Sequence, residues 1–314
     1  MHKIIVSIFP TYQCNHNCKF CYLRKLHNSK TLDLDILEQR LEEITKYYEI
    51  EKFNTYGGEI TLLDEDYLKR LNDILNRYPA KNYVTSNLYN VDKLKLFTNS
   101  YISTSLNEER EDYEFVRNKL IENKGKFINN CVLSMITPSI VNKPPYEVLS
   151  SYNHLGIDWI SFIKYYPNVD TGDLYHIDQE TYEKTLINLL DTYLTYKEAF
   201  DFNLAMIPGL RGCLNKTFPI ATNDQIIRIN PDGKYCSVYY TKDNLEYFKE
   251  YDNIDNYIKD AKEEAFKYMN KCGTCKYYGN CWTEHITNIE CDGCKNLLKY
   301  MENKIDKEDL YLHN

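Results

Sequence analysis

Strand-like runs alternate with amphipathic helical patterns through the first part of the chain, and this alternation limits the possible folds. The six runs are KIIVSIF (3–9), KFNTY (52–56), VTSN, YISTSL, the stretch around CVLSMI, and WISFIK. Apolar residues at helical spacing follow the first run around 33–48, at Leu37, Leu41, Ile44 and Tyr48, and follow the second at Leu68, Leu71, Leu75 and Tyr78. Six strand–helix units in sequence predict an α/β fold whose parallel sheet closes, or nearly closes, into a (β/α)6 barrel.

The composition excludes several classes of protein. Of the 314 residues, 43% are hydrophobic and 27% are charged, which is ordinary for a globular protein. The net charge of −8 argues against nucleic acid as the general partner. No apolar run reaches the roughly 20 residues of a membrane span, and a strand-like run beginning at Lys3 leaves no room for a signal peptide. We therefore expect a cytoplasmic protein that binds neither nucleic acid nor membranes, whose 11 cysteines are metal ligands or catalytic groups rather than disulfides.

The cysteines also suggest a domain boundary near residue 205. Upstream of it lie a group of three near the start of the chain and Cys131, whereas seven follow the boundary. Beyond 205 the runs IIRIN and KYCSVYY flank Pro231-Asp232-Gly233, which predicts a turn between two antiparallel strands, and a helix is predicted near 253–270. We therefore predict a barrel over 1–204 and a small Cys-rich α+β domain over 205–314.

The segment CNHNCKFCY (14–22) places Cys14, Cys18 and Cys21 directly after the first strand, and YGGE (56–59) ends the second strand. In a parallel barrel the chemistry lies at the carboxyl ends of the strands, so both segments are expected at one mouth. Three thiolates can hold three irons of a 4Fe–4S cluster and leave the fourth iron open to another ligand. An incomplete zinc site is the alternative, although tetrahedral zinc needs four ligands.

The spacing C-x3-C-x-aromatic-C, with Phe20 as the aromatic and Tyr22 after the last cysteine, resembles that of radical S-adenosylmethionine (SAM) enzymes. The resemblance implies a partial TIM-like barrel over roughly 3–165 and a 4Fe–4S cluster whose open iron is chelated by the amino and carboxylate groups of SAM. Phe20 and Tyr22 are then expected beside the cofactors.

Other residues resemble the SAM contacts of that family. Gly57, Gly58 and Glu59 match its GGE segment, in which glycines permit close backbone approach and the carboxylate accepts from the SAM ammonium group. Ser105 and Arg117 resemble the serine and arginine that hold the SAM ribose and carboxylate, and Asn87 is a further ribose candidate.

Simpler interpretations of these residues stay open. The two glycines would also suit a tight turn, and Ser105 and Arg117 would also suit an ordinary strand end and helix surface. Cys131 lies in an apolar run and is expected to be a small core residue. We expect His16, between two of the cysteines, to be a solvated loop residue.

The late cysteines allow two interpretations. Cys272-x2-Cys275 and Cys291-x2-Cys294 have the spacing of a zinc ribbon, but Cys281 within the loop, and Cys213 and Cys236 upstream, have no place in one. C-x2-C-x5-C behind such a barrel, together with INPDGKYC (229–236), resembles the SPASM extension, which carries auxiliary iron–sulfur clusters. The resemblance implies one or two auxiliary 4Fe–4S clusters held by these seven cysteines.

The chain departs from the SPASM pattern in two places. Two residues rather than four separate Gly233 from Cys236, and His285 stands where the family often has a cysteine. Imidazole replaces thiolate in some clusters, so whether His285 or Cys294 is a ligand stays open.

The resemblance implies an enzyme that uses a 5′-deoxyadenosyl radical from SAM to modify a peptide, for example by a thioether or carbon–carbon crosslink. The implied partners are the peptide and a flavodoxin- or ferredoxin-like electron donor. The first strand starts almost at once, so we expect another protein, or the barrel itself, to recognise a leader peptide.

A side-chain oxidase resembling the sulfatase-maturing enzymes is the runner-up. Those enzymes have an acidic residue after the cysteine matching Cys236, whereas this chain has Ser237. A non-catalytic iron–sulfur or zinc protein is the alternative of another class.

Overall fold

The fold is described from a computed structural model of the chain. It describes residues 2–26, 30–127, 129–165, 172–217, 224–238, 248–278, 280–282 and 293–304. Two residues with predicted roles, Cys291 and His285, lie outside these ranges.

The described strands form one sheet of ten. They are β1 (His2–Ile8), β2 (Tyr48–Thr55), β3 (Lys81–Thr85), β4 (Ser100–Ser105), β5 (Cys131–Ile136), β6 (Trp159–Lys164), β7 (Asn203–Leu204), β8 (Ile226–Ile229), β9 (Tyr235–Val238) and β10 (Phe248–Tyr251). Their order is β10-β9-β8-β1-β2-β3-β4-β5-β6-β7, and every neighbouring pair from β8 to β7 is parallel. The predicted α/β fold, a partial barrel of strand–helix units, is therefore confirmed.

The helices connect these strands. They are α1 (Leu34–Thr45), α2 (Glu65–Asn76), α3 (Val91–Leu94), α4 (Tyr113–Glu122), α5 (Pro138–Val141), α6 (Pro145–Ser150), α7 (Gln179–Thr195), α8 (Met206–Leu214), α9 (Ile254–Cys272) and α10 (Lys295–Lys304). Helix α1 begins where the Asp33 carboxylate accepts from the backbone N–H of Asp35, and its apolar stripe of Leu37, Leu41 and Ile44 is fully buried. No helix in the described ranges is both long and apolar enough to cross a membrane.

The two faces of the sheet differ in exposure. Outward-facing residues such as Phe53, Val84 and Ile160 are completely buried. Their neighbours in sequence, including Lys52 and Tyr83, face the other way and are half-exposed. Because alternate residues of a strand point to opposite faces, the helices cover the outer face and the concave inner face stays open.

The predicted helix around 33–48 is wrong at its end. Helix α1 stops at Thr45, and Tyr48 is the first residue of β2 rather than part of the helical stripe. The cause is the burial of Ile50 and Phe53, which requires the chain to be extended beside β1. Helical and strand spacing overlap at this one tyrosine, so periodicity alone misplaced it.

The predicted hairpin after residue 205 is confirmed, since β8 and β9 pair in antiparallel fashion around a turn in which Gly233 has φ +74°. Its location was not predicted. Strand β8 pairs in parallel with β1, from Ile5 opposite Ile226 to Ile8 opposite Ile229. The sheet thus continues across the predicted boundary near 205, and that boundary stays a prediction.

Candidate functional site

The loop after β1 carries the first three cysteines. Cys14, Cys18 and Cys21 are all half-exposed and form no disulfide. The backbone N–H of Cys21 donates to the carbonyl of Cys18 at 3.0 Å, so the last two lie in one tight turn. The sequence thus places three free thiols on a short loop at the carboxyl edge of the sheet.

The electrostatics of the loop favour a cationic partner for the thiols. Burial raises the pKa of all three, that of Cys21 to about 12, and neighbouring thiolates raise those of Cys18 and Cys21 further. A bound iron cluster would remove this repulsion, because a metal ion stabilises the deprotonated thiol. Thiolates are also the ligands that iron–sulfur clusters use, so the donor set fits such a group. Within the described ranges, no three Cys, His, Asp or Glu side chains already converge closely enough to hold a metal ion. The ligand assignment stays a prediction.

The YGGE segment binds the chain that leads into the cysteine loop. The N–H of Gly58 donates to the Thr11 carbonyl, and the N–H of Glu59 donates to the Gln13 carbonyl, both at 2.8 Å. A Cβ on Gly57 would lie 2.7 Å from the Thr11 oxygen, and one on Gly58 would lie 2.0 Å from the Gln13 oxygen. The two glycines are therefore needed because two backbone segments lie in close contact. The prediction from the sequence was that they allow close approach to a ligand.

The Glu59 side chain joins two loops. It is 1% exposed, and its Oε1 accepts from the Thr61 N–H, the Thr61 hydroxyl and the Ser86 hydroxyl at 2.9, 2.6 and 2.7 Å. Its Oε2 accepts from the Asn87 N–H at 2.6 Å. These contacts connect the segment after β2 with the segment after β3. The prediction that Glu59 also accepts a hydrogen bond from the SAM ammonium group stays a prediction. Its carboxylate already accepts four hydrogen bonds from the protein.

Two of the residues between Cys14 and Cys18 are held by other side chains. The Asn87 amide donates to Asn15 Oδ1 at 2.8 Å, and Arg24 Nε donates to Asn17 Oδ1 at 2.6 Å. The Asn87 side chain therefore contacts the cysteine loop, and this position agrees with its predicted role near SAM.

The third intervening residue, His16, is not simply solvated, so that expectation was wrong. Its Nε2 lies 3.1 Å from Asp112 Oδ2, and its side chain is 23% exposed. Arg110 Nε and Nη2 donate to the two oxygens of Asp112 at 2.8 and 2.7 Å, and the Arg110 side chain is 5% exposed. The Arg110 guanidinium lowers the pKa of all three loop cysteines against the larger effect of burial. Sequence reasoning missed this pair, although NEERED (107–112) follows the fourth strand at the predicted mouth.

Ser105 and Arg117 occupy the predicted kinds of position. Ser105 is the last residue of β4 and half-exposed, and Arg117 is half-buried on α4. Their roles toward SAM stay predictions. The buried Arg110 lies between them in sequence and is the arginine whose charge reaches the cysteine loop.

The aromatic residue after the third cysteine belongs to a small hydrophobic cluster beside the loop. Tyr22 and Cys21 pack against buried Phe9, Tyr12, Leu23 and Cys236, and Phe20 is half-exposed on the same loop. The Tyr22 ring lies edge-on to that of Phe248, with centroids 6.1 Å apart. Cys236 is fully buried, and burial raises its pKa to about 12. This late cysteine therefore lies next to the first cysteine loop.

Four other described late cysteines belong to the main core or pack against it. Cys213 and Cys294 are buried there, and Cys275 and Cys281 pack against it. Cys272 ends α9, and the N–H of Cys275 donates to its carbonyl at 2.8 Å.

Trp282 links these cysteines to α8. A Cβ on Gly209 would lie 1.8 Å from the Trp282 ring, so the indole rests directly on the helix. Cys213 lies one turn further along the same face of α8, and the N–H of Cys294 donates to the Trp282 carbonyl at 3.1 Å. Cys213, Cys281 and Cys294 are therefore neighbours of one tryptophan, whereas Cys236 belongs to the other cluster.

The radical SAM superfamily model matches residues 8–212, which include the cysteine loop, the YGGE segment and strands β2 to β7. The chain belongs to the radical SAM superfamily.

Comparison with solved structures extends the likeness beyond the barrel. A structure of anSMEcpe with bound AdoMet and Cp18Cys peptide is 14% identical, with a TM-score of 0.66 over 96% of each chain. SuiB of Streptococcus suis bound to S-adenosylmethionine is 15% identical, with a TM-score of 0.62 over 89% of this chain and 72% of its own. SuiB bound to the precursor peptide SuiA is 17% identical, with a TM-score of 0.62 over 89% and 71%. At these identities the likeness concerns the fold. No curated protein sequence matches the chain.

Proposed function

We propose that this radical SAM enzyme modifies a peptide, forming a thioether or carbon–carbon crosslink in a ribosomally made precursor. The observation that carries the proposal is the bonding of the cysteine loop to the YGGE segment at the carboxyl edge of an open barrel. The proposed ligands of the SAM-binding 4Fe–4S cluster are Cys14, Cys18 and Cys21, and when bound the cluster supplies the electron that cleaves SAM.

The protein's own residues hold the loop and leave room for substrate. Asn87 contacts Asn15, Asp112 contacts His16, and the Glu59 N–H donates to the Gln13 carbonyl just before the loop. These contacts hold the cysteine loop from three segments, which favours one geometry of the reacting groups. Hydroxyls line the inner face near the same edge, where Thr85 and Ser103 lie 2.8 Å apart. An open barrel with a polar, half-exposed inner face suits an extended peptide better than a small closed ligand.

Two of the similar structures contain peptides, the Cp18Cys peptide in anSMEcpe and the precursor peptide SuiA in SuiB. Their likeness to this chain is one of fold, and it supports a peptide as the substrate class. The proposal includes a flavodoxin- or ferredoxin-like electron donor in the cytoplasm, and recognition of a leader by the barrel or by a separate protein.

The proposal also includes a SPASM-like domain over 205–314 with one or two auxiliary clusters. Cys275, Cys281 and Cys294 lie along the main core with Cys213, and a backbone hydrogen bond joins Cys272 to Cys275, which suits one cluster with four of these five thiols as ligands. Cys236 lies apart from them, so a second cluster would be nearer to the first cysteine loop.

One contact favours crosslinking over side-chain oxidation of the sulfatase-maturing kind. The residue after Cys236 is Ser237, which is 3% exposed and has its hydroxyl 3.2 Å from that of Tyr251. A serine held in this way lacks the carboxylate that the maturase resemblance requires at that position.

The test is an anaerobic reaction with SAM, dithionite and a deuterated peptide encoded by a short neighbouring reading frame. We expect deuterium in 5′-deoxyadenosine and a peptide lighter by two hydrogen atoms that does not react with a hydrazide probe. A hydrazide-reactive aldehyde would favour the maturase alternative. Reconstituted protein that yields no 5′-deoxyadenosine with or without peptide would contradict the proposal.

A further inference from the structure

A row of aromatic and ionisable side chains lies on the inner face of the barrel, below the edge that carries the cysteine loop. Lys52, Tyr83, Tyr101, Cys131 and Trp159 are all half-exposed, although each has a fully or almost fully buried neighbour in sequence. Tyr83 pairs with Tyr101, and Cys131 pairs with Trp159, in neighbouring strands. None of these residues has a place in the SAM site described above.

Lys52 is a cation within this row. Its Nζ lies 3.9 Å from the centroid of the Tyr83 ring, and that ring stacks on Tyr101 with centroids 4.7 Å apart and planes at 15°. Within the described ranges Lys52 forms no ion pair with a carboxylate, and the adjacent Glu51 pairs with Lys3 at 3.7 Å. An aromatic face attracts a cation but does not neutralise it.

The positive charge of Lys52 therefore lies where water stabilises it less than at the surface. Burial lowers the pKa of Lys52 to about 8, while Cys131 and Glu51 raise it slightly and Lys81 lowers it. The Tyr83 ring contacts its ammonium, and the charges of Cys131, Lys81 and Glu51 act on it from a greater distance. Charges partly removed from water are normally paired, because leaving one unpaired costs free energy that a counter-ion recovers.

We propose that Lys52, seated on Tyr83, binds the side-chain carboxylate of an acidic residue in the peptide substrate. The site deepens the proposed function, on which it rests, by naming the substrate class. Lys52 lies three residues before the end of β2, which is about 10 Å below the edge with the cysteine loop. An extended peptide advances about 3.3 Å per residue, so the acidic residue would lie roughly three positions from the one that reacts.

The experiment measures acetylation of Lys52 by trace acetic anhydride across a pH series, using mass spectrometry on the full-length protein. The probe is the α-amide of N-acetyl-L-glutamate, and the matched control is the α-amide of N-acetyl-L-glutamine. Binding of the carboxylate should raise the pKa of Lys52 by at least about one unit, because the charge gains a partner. At pH 8 this lowers its acetylation rate about fivefold. Lys259, exposed on α9, should be acetylated equally with both probes.

Equal rates with the two probes, or no protection by either, would overturn the proposal. Protection by inorganic phosphate but not by the glutamate probe would overturn it in favour of a phosphate site. Protection by N-acetyl-L-alanine alone would overturn it in favour of a peptide C-terminus. The measurement uses unaltered protein and involves no SAM cleavage, so its failure is distinguishable from failure of the proposed function.

Discussion

The first cysteine loop and the late cysteines differ in how the fold holds them. Cys14, Cys18 and Cys21 lie on one short loop that contacts from the segments after β2, β3 and β4 fix in place. The described late cysteines are brought together, or kept apart, by distant parts of the chain. Trp282 brings Cys294 to the helix of Cys213, while Cys236 joins the small cluster beside Cys21.

The comparison teaches what a short sequence motif can specify. A motif of eight residues keeps its three cysteines close along the chain, so its spacing predicts its chemistry, while contacts from other segments hold the loop in place. Ligands separated by tens of residues depend on packing, and the seven late thiols have several possible groupings. The placement of Cys236 away from Cys213 is therefore information that only the fold provides.

The largest expected effect comes from removing the first loop's thiols. The variant Cys14→Ala/Cys18→Ala/Cys21→Ala should lose production of 5′-deoxyadenosine to the background level, because the SAM-binding cluster has no ligands. The matching variant Cys272→Ala/Cys275→Ala/Cys281→Ala should instead lose auxiliary iron and keep a SAM-responsive first cluster. Chromatography of 5′-deoxyadenosine and iron analysis measure the two outcomes, and equal effects in both variants would erase the distinction between the regions.

A smaller but still large effect is expected at Gly58. Alanine there places a Cβ 2.0 Å from the Gln13 oxygen, so the cysteine loop has to move. A shift of about 1 Å in a reacting group lowers a rate by about a hundredfold, and SAM cleavage should fall by that order. Gly125→Asn is the control, since Gly125 has φ +73° with nothing within 4 Å of its Cβ position, and asparagine tolerates that conformation. Normal SAM cleavage by Gly58→Ala would mean that the two backbones can separate freely.

Glu59→Gln should have an intermediate effect. The amide oxygen can still accept from Thr61 and Ser86, but the amide N–H2 then faces the N–H of Asn87, leaving donors without an acceptor. The free energy of unfolding should fall by about 1–3 kcal/mol, and SAM affinity by about tenfold. Asp64→Asn makes the same chemical change at an exposed residue without a side-chain cap contact and should have little effect. Thermal unfolding and SAM titration measure both. If affinity falls while stability does not, the carboxylate acts on SAM rather than on the loops.

The smallest effect is expected at Asn87. Loss of one neutral hydrogen bond to Asn15 corresponds to about 0.5–1.5 kcal/mol, so Asn87→Ala should lower SAM cleavage about two- to tenfold. Asn15→Ala should lower it equally, and the double variant should add nothing further, as expected of two partners in one contact. Additive losses would assign Asn87 a separate contact, such as the predicted one with the SAM ribose.

Much of the fold was predictable because apolar periodicity is a local signal. The strands CVLSMI and WISFIK lie where their patterns predict, as do Leu68, Leu71 and Leu75 on the buried face of α2. Tyr78 was predicted on the same face but lies beyond the end of α2 at Asn76. The parallel pairing of β8 with β1 was not predictable, because nothing near Ile226 indicates which strand it will lie against. Tyr48 was misplaced because an aromatic residue suits both a helix and a strand.

Part of the candidate site could likewise be predicted from the sequence, and part could not. The cysteine loop and YGGE could be found from spacing, and their mutual contact follows from parallel strands sharing one edge. The burial of Arg110 and the ring contact of Lys52 could not be predicted, because an arginine in a charged loop and a lysine in a strand usually lie in water. Only the fold shows that Arg110 is 8% exposed and that the Lys52 ammonium rests on an aromatic ring.

Electron paramagnetic resonance of the dithionite-reduced protein, recorded with and without SAM, tests the central claim most directly. The unaltered protein should show a 4Fe–4S signal that SAM changes, superimposed on signals that SAM leaves as they are. The variant Cys14→Ala/Cys18→Ala/Cys21→Ala should retain only the signals that SAM does not change. A SAM-dependent change in that variant, or the absence of one in the unaltered protein, would contradict the assignment of the SAM-binding cluster to the first cysteine loop.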